Sequence, residues 1–467
     1  MPTELCPAPG VHDQPSVELD SGCPSWRLRP SGGWCLVGLM MTWSSTGCRQ
    51  SVASAKDATT PSIDPRRELC LSDPGESKWG EVAELGKRLR VGPASPEDLV
   101  LLGEGWVRIA RRSGDPGFYL HADACSKLAL ELVPSDRGAR RIEALVALNQ
   151  HQFESARSLA ESILSQAPDD FAALGIRGDA ELELGKYEAA TLSVNRMLER
   201  RPDLGSYSRK AYLLWLENHP REAMEMMRLA VSAGLDPRDP EPTAWAFVQV
   251  AAFDFSGGRY ESAEAVSTRA LEWVPEYAPG LVARGRARLA LGKGELAVED
   301  LERALELRPL PEPAWLLGDA YEYLGDSAKA ALAHARVETE GRRGDRLTLA
   351  TFYAVKNKNL AEAQKIITEE MKTRGGIFVE DTLAWVLFRQ GRLDEARAAS
   401  DRAMALGTKE ARLLYHAGAI RMARGDKTRG RALIVEALQR SPKFDWTDAQ
   451  GATRLVGLPT KEASRER

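Results

Sequence analysis

Cysteine and histidine are the side chains best suited to nucleophilic or metal chemistry in this 467-residue sequence. Cys125 follows His121 by four residues in HADACSKLAL. That spacing puts thiol and imidazole on one helix face, where the ring would take the thiol proton. No third group is placed to orient the imidazole, so a small core thiol beside an unrelated histidine is the better reading. Cys6, Cys23, Cys35, Cys48, Cys70 and Cys125 contain no CxxC pair and no spacing that closes a zinc site. His12, His121, His151, His219, His334 and His416 are scattered singly and read as surface or half-buried side chains. There is no GxSxG elbow, Walker loop, HExxH, or GxGxxG after a strand, and Gly32-Gly33 and Gly257-Gly258 are turn or linker glycines. The sequence predicts no catalytic residue, no metal and no cofactor: a non-enzyme.

The remaining chemistry is recognition, and the bulk properties narrow its target. Lys and Arg number 63 against 67 Asp and Glu, a formal charge of −4, so no net field draws nucleic acid or an acidic surface. Hydrophobic residues make up 43% of the chain but aromatics only 7%, with Ala, Leu, Arg and Glu abundant. Such a composition suits helices packed through small side chains, so few or no strands are expected.

The N-terminal segment has a different character. Arg27 and Arg29 precede the ten-residue apolar run WCLVGLMMTW (34–43), followed by Ser44-Ser45-Thr46-Gly47-Cys48. A membrane-spanning helix needs about 20 apolar residues, whereas a signal-peptide core needs roughly 7 to 15. The order resembles a bacterial secretory signal, and Ser45-Thr46-Gly47-Cys48 resembles a lipobox, with Ser45 where the family usually has Leu. The polar, proline-bearing prefix 1–26 departs from the pattern, as a start codon assigned too far upstream would. The resemblance implies cleavage before Cys48, lipidation of Cys48 and residence at the bacterial cell envelope. In that case Cys70 and Cys125 are the two thiols left, and could pair in an oxidising compartment. The alternative is a cytoplasmic protein with a non-targeting leader. Residues 49–77, rich in Ser, Thr, Asp and Pro without apolar period, read as a flexible linker.

Beyond the linker the chain repeats. Pro134, Pro168 and Pro202 stand 34 residues apart, as do Pro275 and Pro309. In the same register fall Ala122, Ala156 and Ala190, then Ala263 with Ala297, and Gly258 with Gly292. The clearest units are FAALGIRGDAELELGKYEAATLSVNRMLERRP (171–202) and APGLVARGRARLALGKGELAVEDLERALELRP (278–309). Gly178 and Gly285 remove a side chain where two helices press together, and Ala190 and Ala297 do so from the other side. Gly185 and Gly292 end a first helix, and Pro202 and Pro309 stop a second.

These residues resemble the tetratricopeptide repeat (TPR). The segment from Gly105-Trp106 to Pro442 is further similar to a group of bacterial TPR proteins, through GDPGFY (114–119), DTLAW (381–385) and YHAG (415–418). The resemblance implies an all-α, right-handed α-solenoid of about ten TPR-like helix-turn-helix repeats. Units start near 103, 137, 171, 205, 244, 278, 311, 344, 377 and 411, with an insertion at 236–242. The unit near 344 lacks the glycines and the proline. The expected organisation is a leader at 1–48, linker 49–77, capping helix region 78–102, solenoid 103–442, and a C-terminal cap and disordered tail at 443–467. Phe444 and Trp446 would cover the last apolar edge.

In this family the first helices of successive pairs line a concave groove that takes an extended peptide or a helix. Matching positions put Asp179, Trp245, Phe255, Arg286, Trp315, Asp319, Tyr323, Trp385 and Phe388 on the groove, with inter-repeat core as the competing assignment. The side chains with which some relatives clamp a C-terminal carboxylate are missing from matching positions. The sequence therefore points to a scaffold for a protein or peptide partner, not nucleic acid, touching a membrane only through its anchor. A soluble cytosolic adaptor or co-chaperone is the alternative.

Overall fold

The computed structural model describes residues 64–75 and 79–458. The leader with Cys48, and the tail beyond Leu458, lie outside these residues. Among the described residues there are 23 helices and no strand, and no helix is long and apolar enough to cross a membrane. Two short helices come first, α1 (Pro65–Cys70) and α2 (Gly80–Val91).

Ten antiparallel pairs follow and form the right-handed solenoid. They are α3 (Pro96–Ser113) with α4 (Phe118–Leu132), α5 (Arg137–Asn149) with α6 (Phe153–Gln166), and α7 (Phe171–Glu183) with α8 (Tyr187–Arg200). Next come α9 (Leu204–Leu216) with α10 (Pro220–Ala233), α11 (Pro240–Ser256) with α12 (Tyr260–Trp273), and α13 (Ala278–Ala290) with α14 (Gly294–Leu307). The last four are α15 (Pro311–Leu324) with α16 (Ser327–Arg343), α17 (Arg346–Val355) with α18 (Leu360–Glu370), α19 (Ile377–Arg389) with α20 (Leu393–Ala403), and α21 (Ala411–Ala423) with α22 (Lys427–Arg440). A final helix, α23 (Trp446–Leu455), packs on α21 and α22.

One backbone rule makes all ten pairs. Each turn within a pair contains a residue at positive φ, where the last carbonyls of the first helix find donors without continuing it. Seven of these are glycines, at 114, 185, 258, 292, 325, 391 and 425. His151 (φ 58°), Asn218 (62°) and Asn357 (51°) take the other three. The pair near 344 therefore turns without glycine because asparagine tolerates the left-handed region. The bond from Lys186 N–H to Glu181 O (2.8 Å) recurs as Lys358 N–H to Tyr353 O (2.9 Å). Five of the ten first helices begin on an acidic side-chain cap: Asp136, Asp170, Asp203, Asp345 and Glu410 each accept from the backbone N–H three residues on. The first pair starts earlier than residue 103, because Ser95 caps α3 and Pro96 fits its first turn.

Close packing explains the small residues. Ala122, Ala156, Ala190, Ala263 and Ala297 are at most 1% exposed. A Cβ on Gly285 would lie 2.8 Å from Leu301, and one on Gly418 2.6 Å from Ile434.

Part of the expected linker is structured. Within 49–77, Pro65–Cys70 forms α1, because Asp64 caps it and Cys70 is joined to Cys125 of α4 by a disulfide. Trp106 donates its indole N–H to Cys70 O at 2.8 Å, and His121 and Ser72 close the same corner through Nδ1 and Oγ at 2.7 Å.

The solenoid winds so tightly that its second turn rests on its first. Hydrogen bonds join residues 181 to 192 positions apart: Tyr187 Oη accepts from Ile377 N–H at 2.8 Å, and Thr408 Oγ1 donates to Leu216 O at 2.5 Å. Arg374 pairs with Glu183, and Tyr260 Oη bonds Ser441 Oγ (2.9 Å) while accepting from Lys443 N–H (2.8 Å). Backbones meet directly at this seam: Gly375 N–H donates to Glu183 O at 2.8 Å, and a Cβ on Gly185 would lie 2.9 Å from Gly376 N. Gly375 and Gly376 thus occupy the place where other pairs end in proline, because only bare backbone fits there.

Candidate functional site

Turn-on-turn stacking converts the expected open groove into an interior cavity of about 440 Å³, partly open to solvent. The inner faces of α9, α11, α13, α15, α17, α19 and α21 line it, with Ser441 and Phe444 from the segment before α23. First helices face inward because their long apolar stripe packs on the neighbouring pair and leaves one narrow row of side chains toward the axis.

Of the nine groove residues read from sequence, three line this cavity: Phe255, Arg286 and Trp315. Arg286 lies over the Phe255 ring (5.4 Å to its centroid) and pairs with Glu312 at 3.3 Å. The other six sit elsewhere. Asp179 is 3% exposed and forms a two-pronged ion pair with Arg209 (2.8 and 2.6 Å), which no local pattern announces because the partners are 30 residues apart. Burial pushes the Asp179 carboxyl up to about 6 against the pull of Arg209. Trp385 is 1% exposed and stacks on His416 at 3.9 Å. Phe388 stacks on Trp385, half-buried Trp245 packs between neighbouring pairs, and Tyr323 donates its hydroxyl to Gly292 O and meets Trp446 edge-on.

Asp319 is 1% exposed and receives the Lys356 ammonium at 2.7 Å, which also reaches Glu322. His334 approaches the same acids, so that one ligand atom each from Asp319, Glu322 and His334 lie within 4.8 Å of one another. The ammonium already supplies the positive charge this cluster requires.

His416, read as an ordinary surface or half-buried histidine, is instead held between two buried carboxylates. It is 1% exposed, with Nδ1 at 2.9 Å from Asp381 and Nε2 at 3.0 Å from Asp448. Burial alone would hold the imidazole below its usual range, but the charge of Asp381 and the bonds to Asp381 and Asp448 raise it to about 9. Both nitrogens then donate, which fixes Asp381 at the cavity wall.

The cavity wall carries more acid than base. Glu312, Asp345, Asp381 and Glu410 face Arg286 and Arg412. Asp345 caps α17 by accepting from Thr348 N–H and Oγ1, and burial pushes its carboxyl up to about 6. The wall thus sets aromatic rings beside a few charged groups, an arrangement that can bind and orient a ligand.

Ten helix pairs with an inward row of aromatic and charged side chains define an all-helical repeat solenoid. The tetratricopeptide repeat family model matches residues 143–204 and 282–345, so the chain contains tetratricopeptide repeats. No curated protein is significantly similar to it. Among solved structures it resembles PilW, a widely conserved type IV pilus biogenesis factor, at 19% identity over 44% of this chain and 92% of PilW, with a TM-score of 0.38. It also resembles a tetratricopeptide repeat protein from Parabacteroides merdae (18% identity, 55% of this chain, 100% of that one, TM-score 0.32). A human IFIT1 dimer with PPP-AAAA shares 13% identity over 81% of this chain and 95% of that one, with a TM-score of 0.44.

Proposed function

We propose that this chain is a non-catalytic scaffold that holds a segment of a partner protein inside its solenoid, tethered to a bacterial envelope by a lipid on Cys48. The observation that carries the binding part is the cavity itself, a concave surface of aromatic and aliphatic side chains with a few charged groups converging on it. The Cys70–Cys125 disulfide supports the compartment, since such bonds persist in oxidising spaces.

In-cell photo-crosslinking tests the binding. A photoreactive phenylalanine at Phe378, on the cavity wall, should yield a defined protein adduct, and one at Leu192, exposed on the outer face, should not. Identical adducts from both positions would count against the cavity as the binding site. The mass of the mature N-terminus tests the anchor: an acylated Cys48 is expected, and a full-length unlabelled chain would favour the cytosolic adaptor.

A further inference from the structure

The cavity pairs aromatic rings with carboxylates that lack a counter-ion. Trp315, Phe378 and Phe444 line it with aromatic rings, whose negative faces attract cations, and the Phe255 ring already carries Arg286. Among the charged groups, Arg286 is committed to Glu312, and His416 to Asp381 and Asp448. Asp345 is 9% exposed and accepts only from its own helix start, from Thr348 N–H and Oγ1, with no ion pair to any described residue. Glu312 adds like charge to its surroundings, while Arg374, whose charge opposes this, is engaged with Glu183 and Glu370. Arg412 also faces the cavity, but Glu410, Asp381, Asp445 and Asp448 surround it, so an anion brought to Arg412 would meet four carboxylates. A cation entering near Asp345 meets the opposite field.

We propose that the cavity selects a partner segment by a basic side chain, a guanidinium or ammonium whose charge is met by Asp345 and whose stem lies along the aromatic wall. Resting on the scaffold reading above, this names the chemistry of the partner: an extended basic peptide. The elevated carboxyl of Asp345 agrees with a buried acid awaiting its counter-ion.

The test titrates the full chain with three capped tripeptides that differ only at the central residue, arginine, citrulline or glutamate, and with agmatine. The arginine peptide should bind at least tenfold more tightly than citrulline and far more tightly than glutamate. Asp345→Asn keeps a capping side chain and so the fold, which circular dichroism checks. It should shrink the arginine preference to under threefold, while Glu188→Gln on the exposed outer face leaves it intact. Equal binding of arginine and citrulline peptides, or no binding by either, overturns the inference. Agmatine binding as tightly as the arginine peptide assigns the cavity to a free amine and overturns the peptide part. The crosslinking at Phe378 decides the scaffold reading separately.

Discussion

At the N-terminal end α1 is held to α4 covalently, by Cys70 and Cys125, whereas at the C-terminal end α23 is held to α21 by a protonated histidine between two carboxylates. Each end of a solenoid exposes an apolar face that has no next repeat to cover it. A disulfide across 55 residues works chiefly by restricting the unfolded chain, and is indifferent to pH but sensitive to reductant. The Asp381–His416–Asp448 cluster has the opposite sensitivities. Its ions have lost water, so it stabilises only while all three partners and the proton are present. The stacked turns connect the ends, since the seam from Tyr187 to Ile377 bridges the first turn to the second.

The largest effect should come from removing the covalent staple. Replacing Cys70 and Cys125 together by serine is expected to cost about 4 kcal/mol by the chain-entropy relation for a loop of this length. Urea unfolding should show it, together with early proteolytic release of the segment before α2. An unchanged midpoint would mean that α1 is held by packing, and the contrast between the ends would fall.

His416→Leu should cost about 3 kcal/mol, because Asp381 and Asp448 are left buried without their cation. The sign with pH follows from the raised folded-state value of about 9 against an ordinary 6.5. The stabilisation is complete below about pH 6.5 and is lost as pH rises through 9. The stability gap between wild type and variant should therefore be widest at pH 6 and narrow by pH 9.5. The serine variant should show no such trend, which is the sharpest form of the comparison.

Gly376→Ala tests whether the seam couples the ends. Gly376 has φ 96°, and a Cβ there would lie 2.8 Å from Tyr187 Oη. A cost of about 1–3 kcal/mol is expected, with a larger radius of gyration by small-angle scattering as the turns part. Unchanged scattering would show that the two turns pack without this contact.

The ten pairs, their turns and their inward-facing first helices were legible in the sequence, because one unit's periodicity depends on local backbone geometry and on contact with the next unit. Even the glycine-free turn at Asn357 obeys the pattern once left-handed asparagine is admitted as an equivalent. The cavity was only partly legible. Phe255, Arg286 and Trp315, placed on the groove by register, line the cavity, whereas Asp179, Asp319 and Trp385, placed there likewise, are buried away from it. Polar residues on a first helix look alike in sequence whether they face the axis or a partner such as Arg209 or Lys356, 30 and 37 residues on. His416 was missed for the same reason, its acids being 35 and 32 residues away. How tightly the solenoid winds belongs to the tertiary structure alone. A small rotation per pair accumulates over about 190 residues before the turns meet, and only there does it become clear that the groove closes.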